Sequence, residues 1–222
     1  MRTFAEIYDI AAKRKGGEKA LEALLDKPMS RAKLAAQPDH RWLSCMTKRI
    51  FQAGFNWKVV DNMWPGFELA FEGFDIGHCA MLHDDDFARL VSDKRIVRHG
   101  TKIRSVQQNA VFIADLAREH GSAGKAFANW PTGDYASLLT LLKKRGSRLG
   151  GNTGPYFLRF MGVDGFILSR DVVARLVAEG VIDTPPTSQK AMAAAQDAFN
   201  TWQAESGRPM TDISRILAMS TG

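Results

Sequence analysis

The chain has 222 residues with 45% hydrophobic content and a mean hydropathy of −0.21, enough to bury a full core as one large domain or as two lobes. No apolar run nears the roughly 20 residues needed to span a bilayer. The N-terminal stretch lacks a signal-peptide core, and two cysteines, Cys45 and Cys79, cannot make a disulfide framework. A cytoplasmic protein without membrane contact is expected.

Charge is unevenly spread. The formal net charge is +6, and residues 98–148 hold nine Lys/Arg against three acids, a surplus equal to that of the whole chain. A basic face of this kind suits a phosphate backbone as partner, although charge alone is equally compatible with a solvated surface.

In chain order, Phe4, Ile7, Tyr8 and Ala11 give the stripe of a first amphipathic helix. Glu18–Leu25 continues as a second, bounded by Pro28. Residues 41–63 read as one long helix with Pro65 just beyond it. "GHCAMLHDDD" reads as a helix with a buried thiol and exposed histidines rather than a metal site. "DDDFARLVSD" opens on acids, which suit a helix N-terminus. "KIRSVQQNAVFIADLAREHG" is a strong amphipathic helix closed by Gly121. Asp134 to Lys144 forms another, with Asp134 as its cap. After "GGNTG", Pro155–Met161 restarts a helix, Asp171–Ala178 makes a further one, and Ala191–Glu205 and Thr211–Met219 complete about ten. "DGFIL" is the single strand candidate. The fold class is all-α.

Lys143, Lys144, Arg145 and Arg148 stand directly before the bend Gly150, Gly151, Asn152, Thr153, Gly154. Glycines let backbone N–H groups face a phosphate, and the next helix start adds its positive end. The basic residues and the bend can therefore share one nucleic-acid strand.

Three ordered blocks make the pattern specific. "LLKKRG" followed by "GGNTGPY", "FQAGFNWKVV" running into "FELAFEGFD", and "RIVRHGTKIRSVQQNA" together resemble the DNA-3-methyladenine glycosylase I family of the helix-hairpin-helix DNA glycosylases. The resemblance covers about residues 43–180. It implies an all-α fold of two helical lobes flanking a cleft. Residues 1–222 then form one glycosylase-like unit, with a pocket lobe at about 30–130 and a hairpin lobe at about 131–222 joined by the N-terminal helices. It further implies a monofunctional base-excision enzyme, without a diffusible cofactor, that acts as a monomer on double-stranded DNA containing a damaged base. The base, an alkylated one such as 3-methyladenine, would sit against Trp57 through cation–π attraction, with Gln52 and Asn56 on hydrogen-bonding duty. Trp42 and Phe55 are either further walls or core. A non-catalytic DNA-binding or lesion-sensing protein on the same scaffold is the alternative.

The chain departs from the family in three places. The family's pocket glutamate is here Arg49, which donates hydrogen bonds only and repels a cationic purine. It could instead favour a neutral, acceptor-rich lesion or a backbone phosphate. The histidine of the family's zinc site falls on Asp171, and its N-terminal ligands have no counterpart, so no metal is expected. Asp171 also lies where the wider superfamily keeps its catalytic aspartate, at a helix start some distance after the hairpin; a plain N-cap role is the competing account. Tyr156 occupies the position where bifunctional relatives place a Schiff-base lysine, so strand cleavage is not expected. Arg98, His99 and Lys102 read as either part of the second block or an exposed helix-start cluster.

Overall fold

The computed structural model describes residues 1–221. Among them the secondary structure is helical throughout. The fourteen helices are α1 Phe4–Lys15, α2 Glu18–Glu22, α3 Arg31–Ala35, α4 Asp39–Gln52, α5 Trp57–Ala70, α6 Ile76–Ala80, α7 Asp84–Ser92, α8 Gly100–His120, α9 Ala123–Ala128, α10 Tyr135–Arg145, α11 Thr153–Phe160, α12 Arg170–Ala178, α13 Gln189–Ser206 and α14 Met210–Met219. The excess over ten comes mostly from five- and six-residue helices, too short to display an apolar stripe in sequence.

The expected helix over residues 41–63 is two helices. Gly54, with φ of 76°, breaks the run. Asn56 then caps α5, its side-chain oxygen accepting from the Lys58 N–H at 2.9 Å. Pro65 lies inside α5 instead of beyond it. Packing outweighs its local cost: Val60, Phe67 and Ala70 of the same helix are all buried. The strand candidate "DGFIL" is also corrected, since no strand occurs among the described residues. It is an extended segment whose Asp164 carboxylate accepts from the Met210 and Thr211 N–H groups at the start of α14, and side chains from α14 serve its own backbone groups. Asp134 precedes α10 as expected, with its carboxylate accepting from Ser137.

The chain forms two compact units. One comprises residues 1–29, 131–138 and 162–222; the other comprises 30–130 and 139–161. The hairpin was expected with the C-terminal part but clusters with the second unit. There the Asn109 side chain on α8 donates to the Ser147 carbonyl (3.1 Å) and accepts from the Ser147 N–H (2.8 Å). Those bonds tether the bend to α8.

The second unit is organised around two aromatic groups. Phe51, Phe67, Phe71 and Phe74 form the first with Ile103 and Val106 of α8. Trp42, Phe127 and Phe157 form the second, with centroid separations of 4.6–5.9 Å. Trp42 is wholly buried, so it is core and not a pocket wall. Each fully buried ring of this kind contributes about 1.5–3 kcal/mol through removal from water. In the first unit Phe166 stacks on Phe199 at 4.4 Å, and α14 packs against α1 and α12.

Candidate active site

The corner between α4 and α5 carries the residues singled out for the pocket. Lys102 of α8 shapes it. Its ammonium donates to the carbonyls of Phe51 (3.2 Å) and Ala53 (2.7 Å), satisfying the end of α4 where intrahelical partners run out. It also sits 4.6 Å from the centre of the Phe55 ring. Burial pushes this ammonium below its ordinary pKa, and neighbouring Arg148 adds to the effect. Lys102 is thus buried and structural, not part of an exposed cluster.

The turn so held lines a pocket of about 240 Å³ together with residues of the hairpin: Arg49, Gln52, Phe55 and Trp57 on one side, Asn152, Thr153 and Tyr156 on the other. The volume lies under the roughly 300–1,000 Å³ of drug-sized sites and suits a single flat ring system. Trp57 is 41% exposed and meets Tyr156 edge-on at 5.6 Å. Phe55 is also exposed and contributes a wall. Asn56 is absent from the lining, its side chain being occupied as the cap of α5.

Two polar side chains dominate the pocket. Arg49 is only 7% exposed, yet it makes no ion pair or hydrogen bond among the described residues, and its Nε is buried without a partner. Aromatic faces hold it instead: the guanidinium carbon lies 3.8 Å from the Phe160 centroid and 5.2 Å from that of Trp57. Burial lowers its pKa. Gln52 donates through Nε2 to Asp61 at 3.1 Å, and Lys48 also grips Asp61. The Oε1 of Gln52 has no donor.

The bend itself is open. Gly150, Gly151 and Asn152 are exposed. Gly151 has φ of 57°, and a side chain there would meet only solvent, so conformation and not space calls for glycine. Gly154 is different, because a Cβ there would press on the Leu149 carbonyl at 2.5 Å. Lys143, Lys144 and Arg148 are exposed and have no carboxylate partner among the described residues. Arg145 is engaged: it forms a two-pronged pair with Glu119 at 2.7 and 2.9 Å, which holds the carboxyl of Glu119 below its usual range. The four expected cations therefore divide into three available ones and one spent within the protein.

Asp171 lies in the first unit, exposed at the start of α12. The capping role belongs to Ser169, whose hydroxyl accepts from the Val172 N–H. The Asp171 carboxylate makes no hydrogen bond or ion pair among the described residues, which removes the N-cap account. Among those residues no three His, Cys, Asp or Glu are grouped to hold a metal ion. Cys79, buried with its thiol pushed up to about 12 by burial, donates to the Phe71 carbonyl.

The methyladenine glycosylase family model matches residues 34–137, which include the α4–α5 corner and all of α8. Over that stretch, just under half of its length, the chain is similar to that family. DNA-3-methyladenine glycosylase 1 of Escherichia coli K12 is 29% identical over 131 residues, covering 50% of this chain and 70% of that protein. The 3-methyladenine DNA glycosylase I of Staphylococcus aureus matches in structure with a TM-score of 0.51 at 23% identity, over 57% of this chain and 79% of its own. The 8-oxoguanine glycosylase/lyase of Methanocaldococcus jannaschii, solved with DNA, matches with a TM-score of 0.51 at 12% identity, over 96% of this chain and 95% of its own. These likenesses establish the helix-hairpin-helix glycosylase fold, and the last one spans both compact units. No helix among the described residues is long and apolar enough to cross a membrane.

The sequence reading missed the structural importance of Lys102 and Asn109. A signal existed: the two are seven residues apart and share one face of α8, the face toward the pocket corner and the bend. Phe160 was also missed, because its role as a face for Arg49 is a spatial contact between separate helices.

Proposed function

We propose that this chain, acting as a monomer, binds double-stranded DNA at the Gly150–Gly154 bend and hydrolyses the N-glycosidic bond of a damaged base flipped into the Trp57 pocket. The observation that carries the reading is that one pocket is lined both by the α4–α5 corner and by the hairpin's Asn152, Thr153 and Tyr156. A strand gripped at the bend thereby presents its nucleotide beside a ring-sized hollow. Lys143, Lys144 and Arg148 supply charge to neighbouring phosphates.

The chemistry asks little of the protein beyond position and electrostatics. As the base departs with the bonding electrons, positive charge develops on the sugar, and a carboxylate stabilises it while taking a proton from the attacking water. Asp171 is the proposed carboxylate, supported by its freedom from structural work. Damage that loosens pairing lowers the few kcal/mol spent on extrusion and so aids selection. A base of the alkylated class, as in the family, is the proposed lesion.

The test is release of free base from methylated and otherwise damaged duplex DNA. Wild type should release base, and Asp171→Asn should slow the single-turnover rate by about 10²–10⁴-fold with DNA binding retained. A wild type that binds DNA yet frees no base from the whole lesion panel would show that the non-catalytic, lesion-sensing reading is correct.

A further inference from the structure

The pocket holds a donor and an acceptor that the protein itself leaves unanswered. Arg49, 7% exposed, carries five N–H groups and offers no acceptor; none of them meets an oxygen among the described residues, and Nε is enclosed. Gln52, 1% exposed, has its amide nitrogen committed to Asp61, which leaves Oε1 as a buried acceptor without a partner among the described residues. Both side chains line the same hollow as Trp57. Buried polar groups almost always find partners, so a matched pair left open in one pocket points to a ligand that closes it.

A base answers both groups when it carries a carbonyl oxygen next to a ring N–H. Six-oxopurines have that lactam edge; six-aminopurines place a donor where Arg49 also donates, and leave a bare ring nitrogen facing an acceptor. Arginine donating to O6 and N7 of guanine is the commonest specific base contact, which shows how well a guanidinium suits the six-oxo group. Resting on the glycosylase reading above, we infer that the excised base is a lactam-edged purine, read by the Arg49 guanidinium and the Gln52 carbonyl oxygen, in preference to a six-amino purine such as 3-methyladenine.

Two measurements together test this. Free hypoxanthine and 7-methylguanine, against adenine and 3-methyladenine, are titrated calorimetrically into the intact protein. Single-turnover release is measured from duplexes carrying hypoxanthine and from methylated DNA, in which both methylated guanine and methylated adenine can be counted. The oxo bases should bind and be released about tenfold better than the amino bases. Arg49→Gln, which orphans no protein partner, should shrink that advantage to roughly threefold or less, and Arg49→Glu should reverse it, each variant retaining the wild-type helical spectrum. Equal or opposite preference in wild type, or a preference unmoved in Arg49→Gln, overturns the inference while any base release upholds the glycosylase reading. Arg49-dependent binding of free oxo bases with no release from DNA sinks the enzymatic reading and keeps the edge recognition. No binding and no release sinks both.

Discussion

Arg49 and Arg175 are equally buried, at 7% exposure each, but live opposite lives. In the first unit, Arg175 is fully answered: Nε donates to the Ser220 hydroxyl at 2.8 Å, one terminal nitrogen to the Ser220 carbonyl and the other to Glu179. In the second unit, Arg49 rests between Phe160 and Trp57 and bonds to no oxygen among the described residues. Burial of a charge is costly unless it is paired, so the answered arginine serves the fold, and the unanswered one stores a demand that a ligand can meet. A side chain's depth does not reveal its purpose; its partners do.

The comparison can be broken most forcefully at Arg175. Arg175→Met should destabilise the protein by about 3–5 kcal/mol in chemical denaturation, because the groups it satisfied stay buried; a loss under about 1 kcal/mol would erase the distinction. Arg49→Met should move stability by about 1 kcal/mol or less, in either direction, since it trades an unpaired cation for an apolar chain of similar length. A larger loss would make Arg49 structural and remove the ground for reading it as a ligand-facing group.

A pH series sharpens the same contrast. Burial raises the Glu179 carboxyl, but the Arg2 N–H, the Arg2 guanidinium and Arg175 together outweigh it, leaving the group below its ordinary 4.5. A carboxyl depressed in the folded state contributes stability above its unfolded pKa and loses it as pH falls through the folded one. Wild type should therefore weaken as pH drops from about 4.5 downward, and Glu179→Gln should flatten that loss in thermal melts. Arg49→Met should leave the acid limb of the curve unchanged.

The smallest effect concerns exposed cations. Lys143→Ala with Lys144→Ala should lower the slope of log affinity against log salt by about two units, one for each phosphate contact. Arg145→Ala should change that slope less, its charge being committed to Glu119. A full drop of about one unit for Arg145→Ala would mean the ion pair opens on DNA.

The chain's letters determined its class, its principal helices and the chemistry gathered at the bend. Gly121 closes α8 in the left-handed conformation, as its place after an amphipathic run requires, and Gly150 and Gly151 of the bend are exposed beside exposed lysines. Such features follow from short-range backbone rules, which act over a few residues and are readable locally. The tertiary structure alone decided the rest: that residues 41–63 break at Gly54, that Arg145 pairs with Glu119 while its neighbours stay free, that Asn56 caps a helix instead of lining the pocket, and that Ser169 releases Asp171 from capping. Each depends on which distant groups come within bonding distance, and sequence spacing carries no measure of that.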